Sequence, residues 1–168
     1  MKVVGLTLLA LVLGFQSGIA QAEEPHGCDK FKWPIVHEQD ALNAPGIAKL
    51  AAGGILTVDT AASINLAPLA QARLIMPPER TPTQTASFAG TVELGTLPKE
   101  GVYKVTISTE GWIDVIQDGE YIKPTAFTGA MDCPGIRKSV KFPLRAKPVT
   151  IQLSNVRAPL ISLIVTAE

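Results

Sequence analysis

Histidine and cysteine are both scarce in this 168-residue chain, with two of each, and neither charge sign prevails: 15 basic side chains face 15 acidic ones. Each shortage excludes something. His26 and His37 are too few for a multi-histidine centre, and a two-histidine, one-carboxylate iron site would need both plus a neighbour such as Glu38. Near-neutral charge argues against nucleic acid, whose partners carry a basic domain or stripe. Cys28 and Cys133 lack the C-x-x-C spacing of a redox-active pair. There is no G-x-S-x-G nucleophile setting for a Ser-His-Asp triad, and no glycine-rich phosphate loop. The expectation is a protein that is not an enzyme and carries no metal or cofactor.

Long apolar runs are also missing, except at the start. Lys2, an apolar run over residues 3–15 and the ending Ala20-Gln21-Ala22 have the order of a secretory signal peptide. The run is shorter than the roughly 20 apolar residues that cross a bilayer. Residues 1–22 are therefore expected to be removed, leaving a periplasmic or extracellular chain with 14 basic and 15 acidic residues and no transmembrane anchor. In an oxidising compartment two cysteines pair with each other. A Cys28–Cys133 bridge would close a loop of about 100 residues, a stabilisation of roughly 4–5 kcal/mol on the chain-entropy account.

The mature chain divides into an N-terminal arm with a short helix (23–54) and a β region (55–168). Trp33-Pro34 opens a helix ending near Asn43, because proline fits a first helical turn. Ile35, Leu42 and Val36 form its apolar face, while His37, Glu38, Gln39 and Asp40 read as solvated. A further helical turn is expected over 47–52, before Gly53-Gly54 breaks the pattern. Beyond Leu56 come short alternating runs, read as strands near 63–69, 71–76, 87–94, 102–108, 112–117, 120–124, 138–144, 148–153 and 160–166. Tyr103, Val105 and Ile107 share one face, as do Val140, Phe142 and Leu144. Many short strands at this spacing predict an all-β protein, an antiparallel β-sandwich of jelly-roll-like type with a short N-terminal helix. The proline-rich segment 76–82 reads as an exposed crossover loop.

Asp118-Gly119 supplies the positive φ angles of a two-residue type I′ turn. It pairs Gln117 with Glu120 and Ile116 with Tyr121, putting Ile113, Val115 and Ile122 on one face. Trp112, Asp114, Ile116, Tyr121 and Lys123 fall on the other. Trp112, Asp114, Tyr121 and Lys123 could make a ligand platform, rings stacking on sugar faces and charges bonding hydroxyls. The plainer reading is a polar sheet face with a cross-strand Asp114–Lys123 pair. A basic stripe (Arg137, Lys138, Lys141, Arg145, Lys147) could meet an anionic envelope surface, although outward charges on strands usually serve solvation.

Three segments, Cys28-Asp29-Lys30-Phe31-Lys32-Trp33-Pro34, the Trp112–Gly119 hairpin arm and Cys133-Pro134-Gly135-Ile136-Arg137-Lys138-Ser139-Val140, carry a resemblance across residues 28–166. The chain resembles a family of small exported proteobacterial proteins, some of them labelled homogentisate 1,2-dioxygenase. The iron enzyme of that name is larger and holds its metal with several histidines in a cupin-like barrel, a set that two histidines do not supply. The strand pattern is also similar to the pre-peptidase C-terminal type of exported sandwich, a likeness of fold only. The sequence thus points to an exported non-catalytic binding or accessory module for an envelope glycan or protein. The alternatives are a metal-dependent, dioxygenase-like enzyme at His26 and His37, or a structural envelope protein acting through its basic stripe.

Overall fold

Period-2 alternation along this chain produces two facing sheets, seen in a computed structural model that describes residues 24–83 and 86–168. The expected signal peptide lies outside the described residues. In chain order the elements are α1 (Val36–Asn43), β1 (Ala48–Leu50), β2 (Gly54–Leu56), β3 (Ala62–Asn65), β4 (Ala67–Pro68), β5 (Phe88–Leu94), β6 (Gly101–Ile107), β7 (Trp112–Gln117), β8 (Glu120–Tyr121), β9 (Ala126–Gly129), β10 (Lys138–Leu144), β11 (Val149–Val156) and β12 (Leu160–Ala167). Short 3-10 turns occupy Cys28–Lys30 and Leu69–Gln71. One sheet runs β1-β3-β12-β6-β10-β9, the other β2-β5-β11-β7-β8, with β4 also on β5. The protein is an all-β sandwich with one short helix.

The inner faces are the alternating apolar residues. Tyr103, Val105 and Ile107 from β6, Phe142 and Leu144 from β10, and Leu163 and Val165 from β12 are buried against Val92, Leu94, Val115, Ile151 and Leu153 of the other sheet. Tyr103 is fully buried because its hydroxyl donates to the Lys99 carbonyl at 2.8 Å, leaving no orphan polar atom. The hairpin register is the expected one: Gln117 faces Glu120 and Ile116 faces Tyr121, with Asp118 at φ 53° and Gly119 at φ 76°. Ile113 and Val115 point into the core, joined by Ile122.

Several expectations are corrected. Residues 47–52 form no helical turn; β1 pairs parallel with β3. After Gly53 (φ 80°) the chain crosses to the opposite sheet, where β2 pairs parallel with β5. Two parallel edge pairs therefore interrupt an otherwise antiparallel sandwich. Their segments are too short for a period, and only the partner strand makes them extended. The strand expected over 71–76 is a 3-10 turn followed by irregular chain, since its hydrogen-bonding partners are side chains rather than a neighbouring strand. β9 was not anticipated and forms because β10 offers it an edge.

The helix is shorter than expected, starting at Val36, whose side chain is exposed and not on the apolar face, and Glu38 is not solvated. It is 2 % exposed, 2.5 Å from Lys104 Nζ and accepting from the Thr166 hydroxyl at 2.7 Å. α1 lies on the outer face of the first sheet, where Ile35, Leu42, Ile136, Cys133 and Ile164 make a second apolar cluster. On that side Glu38 meets the outward-pointing side chains of β6 and β12. Cys28 and Cys133 are bonded to each other, as the pairing argument required, and Gln39 Nε2 donates to the Pro134 carbonyl at 3.0 Å beside them. Arm, helix and sandwich are thereby stapled together.

Candidate functional site

The outer face of the second sheet carries the four residues suggested as a ligand platform. Trp112 Nε1 donates to Asp114 Oδ1 at 2.7 Å, and Gln152 Nε2 on β11 donates to Asp114 Oδ2 at 3.2 Å. Alternation within β7 brings Trp112 and Asp114 to the same side, and the β7–β11 register sets Gln152 opposite Asp114. Segment 72–82 folds over this face instead of standing clear of it. The Ile75 and Met76 amides donate to Gln152 Oε1 at 3.1 and 3.4 Å, and the Glu79 amide donates to Asp114 Oδ2 at 3.4 Å. The Tyr121 hydroxyl donates to the Pro77 carbonyl. Lys123 pairs with Glu79 rather than with Asp114.

Asp114, Gln152, Tyr121 and Lys123 therefore act as pins for the crossover segment. Burial pushes the Asp114 carboxyl above its ordinary value, against the hydrogen bonds from Trp112, Gln152 and the Glu79 amide. Among the four, Trp112 lines a cavity. Its ring lies 5.2 Å from the Arg80 guanidinium carbon and 5.9 Å from Lys138 Nζ.

That cavity, of about 410 Å³, opens between the sheets on the side where β7 and β8 face β9 and β10. Ile113, Ile122, Val140 and Phe142 floor it, and Phe127, 65 % exposed on β9, stands at its mouth. Glu79, Arg80, Glu110, Arg137, Lys138 and Glu24 supply charge around the rim. The size and the combination of an apolar floor with few convergent charges suit a small-molecule site, for which about 300–1,000 Å³ is usual. A wider, shallower groove shares Glu24, Arg80, Glu110 and Arg137 with it and runs on past Cys133 and Asn155.

Lys138, like Glu38, stands elsewhere than the sequence suggests. It was grouped with a solvent-facing stripe, yet its position in β10 has the same parity as Val140, Phe142 and Leu144, so it points inward. Its ammonium donates to the Gly111 carbonyl at 2.8 Å and lies 3.7 Å from Glu110. Burial pulls its pKa below the ordinary lysine value, Arg137 and Arg80 push the same way, and Glu110 opposes them. Strand parity was the signal that would have found it. The other basic residues are paired: Arg137 with Glu24 and, at 2.8 Å, Glu110; Lys141 with Glu168; Arg145 and Lys147 with Asp118 at 2.6 and 2.9 Å.

The two histidines are kept apart in role. His26 Nδ1 meets Asp132 at 2.7 Å and His37 Nε2 meets Asp59 at 2.7 Å. Among the described residues no three His, Cys, Asp or Glu side chains cluster as metal ligands. No protein-family model, curated protein or solved structure matches the chain.

Proposed function

We propose that this protein is an exported, non-catalytic binding module that takes a small amphipathic molecule of the cell envelope into the cleft beneath Trp112. The observation that carries this reading is the cleft itself: an apolar space of about 410 Å³ between open sheet edges, with Trp112, Arg80 and Lys138 side by side at its rim. A glycan laid on the outer face would require Asp114, Tyr121 and Lys123 to release segment 72–82. A ligand in the cleft requires no such release. Binding is favoured over catalysis because Glu24, Glu110, Arg137 and Lys138 at the rim are engaged with one another and with backbone, an arrangement suited to recognition. Export is supported by the Cys28–Cys133 bridge.

The neutral apolar dye N-phenyl-1-naphthylamine tests the reading. It should bind saturably at one site per chain with a rise in emission, and Phe127→Ala should weaken it about 3–10-fold, the range for losing one well-placed ring contact. Phe127 is exposed, so the variant should fold as the parent does. Absence of saturable dye binding, or binding indifferent to Phe127→Ala, would remove the cleft as the site.

A further inference from the structure

Resting on that reading, the geometry points to the class of ligand: we propose that the cleft takes an amphiphile ending in a single anionic group, and that the Glu24 carboxylate occupies the position of that group. Three cations converge on the rim, Arg80, Arg137 and Lys138. Glu79 is drawn off by Lys123, so Glu110 alone, shared by Arg137 and Lys138, answers them from the sandwich. With Glu79 neutralised by Lys123, the sandwich sets three rim cations against Glu110 beside an apolar floor, and Glu24 supplies a second anion from outside it. Arg137 is held where a ligand head would need it, its side chain 16 % exposed and its amide donating to the Ile107 carbonyl at 2.9 Å.

Glu24 is suited to leave. Its side chain remains 60 % exposed while paired, and ion pairs that open to water contribute little. The chain behind it is anchored independently. The Met131 amide donates to the Pro25 carbonyl at 2.7 Å, the Gly27 amide donates to the Met131 carbonyl at 2.8 Å, and Cys28 is in the disulfide. Displacement therefore moves Glu24, ahead of the anchor at Pro25, and leaves the sandwich intact. An incoming monoanion exchanges with Glu24 at constant local charge, while its apolar part adds burial that Glu24 does not supply.

The test uses Trp33→Phe protein, so that Trp112 is the only tryptophan, titrated with decanoate and with decanol. The expected result is a saturable change in Trp112 emission, with decanoate binding at least 10-fold tighter than decanol at low salt and less so at high salt. Glu24→Gln should tighten decanoate about 3–5-fold, the range for relieving competition by an exposed ion pair, and should leave decanol unchanged. Equal affinity for the two probes, or no effect of Glu24→Gln, would overturn the anionic head and the displacement while leaving the cleft as a site. Binding of neither decanoate, decanol nor the naphthylamine dye would overturn the site as well.

Discussion

Removing the ammonium that faces Glu38 should be the most damaging single charge change in this protein. Lys104→Met keeps the length of the stem but leaves a carboxylate that is 2 % exposed with the Thr166 hydroxyl as its remaining side-chain donor. Breaking a buried pair by deleting one partner costs about 3–5 kcal/mol, and the lower end applies because Lys104 keeps 16 % of its side-chain surface in water. A loss of about 3 kcal/mol corresponds to roughly 6–12 °C in Tm for a domain of this size.

The pH dependence gives a second, independent readout. Burial alone would raise the Glu38 carboxyl, but the hydrogen bonds from Lys104 and Thr166 outweigh it, and the folded value lies below the ordinary 4.5. The parent therefore has the full contribution of Glu38 above the unfolded value and loses it as pH falls through the lower folded value. In Lys104→Met the burial is no longer offset by the ammonium, and the carboxyl shifts upward. Protonation then relieves the variant, so its deficit shrinks as urea denaturation is moved from pH 7 to about pH 4. The double change Glu38→Gln with Lys104→Met should recover most of the loss, since no unpaired charge stays buried. A deficit below about 1 kcal/mol, the ceiling for exposed pairs, or one equal at both pH values, would refute the buried-pair account.

Other outcomes follow from named contacts. Cys28→Ser with Cys133→Ser opens a loop with a sequence separation of 105, for which the chain-entropy account sets a loss of up to about 4.8 kcal/mol in denaturant; an unchanged midpoint would mean that the arm is held by packing alone. Gly135→Ala puts a side chain on a backbone at φ 77° with its Cβ 2.3 Å from Asn43 Oδ1, and should cost about 1–3 kcal/mol by thermal melting. Trp112 emission in the Trp33→Phe background should titrate with Asp114 at a midpoint above the ordinary 3.8, since burial raises that carboxyl, and the transition should vanish in Asp114→Asn. A transition that persists in Asp114→Asn would mean that another group quenches the ring.

By itself the sequence determined what local chemistry decides. Strand β10 fell where alternation put it, because period 2 is a property of consecutive residues. Asp118-Gly119 determined a turn and, through it, the two pairings Gln117–Glu120 and Ile116–Tyr121, although the second strand stops at Tyr121 and not at the expected 124. Two cysteines allow one pairing within the chain, and that is the bond formed. Tertiary structure decided whatever depended on a partner distant in sequence. Glu38 read as solvated because its neighbours on α1 are polar; its burial comes from Lys104 and Thr166, 66 and 128 positions away. The proline-rich segment read as exposed because nothing local covers Asp114 or Gln152, whereas those side chains supply the bonds that draw it down. The cleft was out of reach for the same reason. It is a space between edges of two sheets, closed by residues of β7, β9 and β10 and by Glu24 of the arm, and such a space exists only once long-range packing has set those edges facing each other.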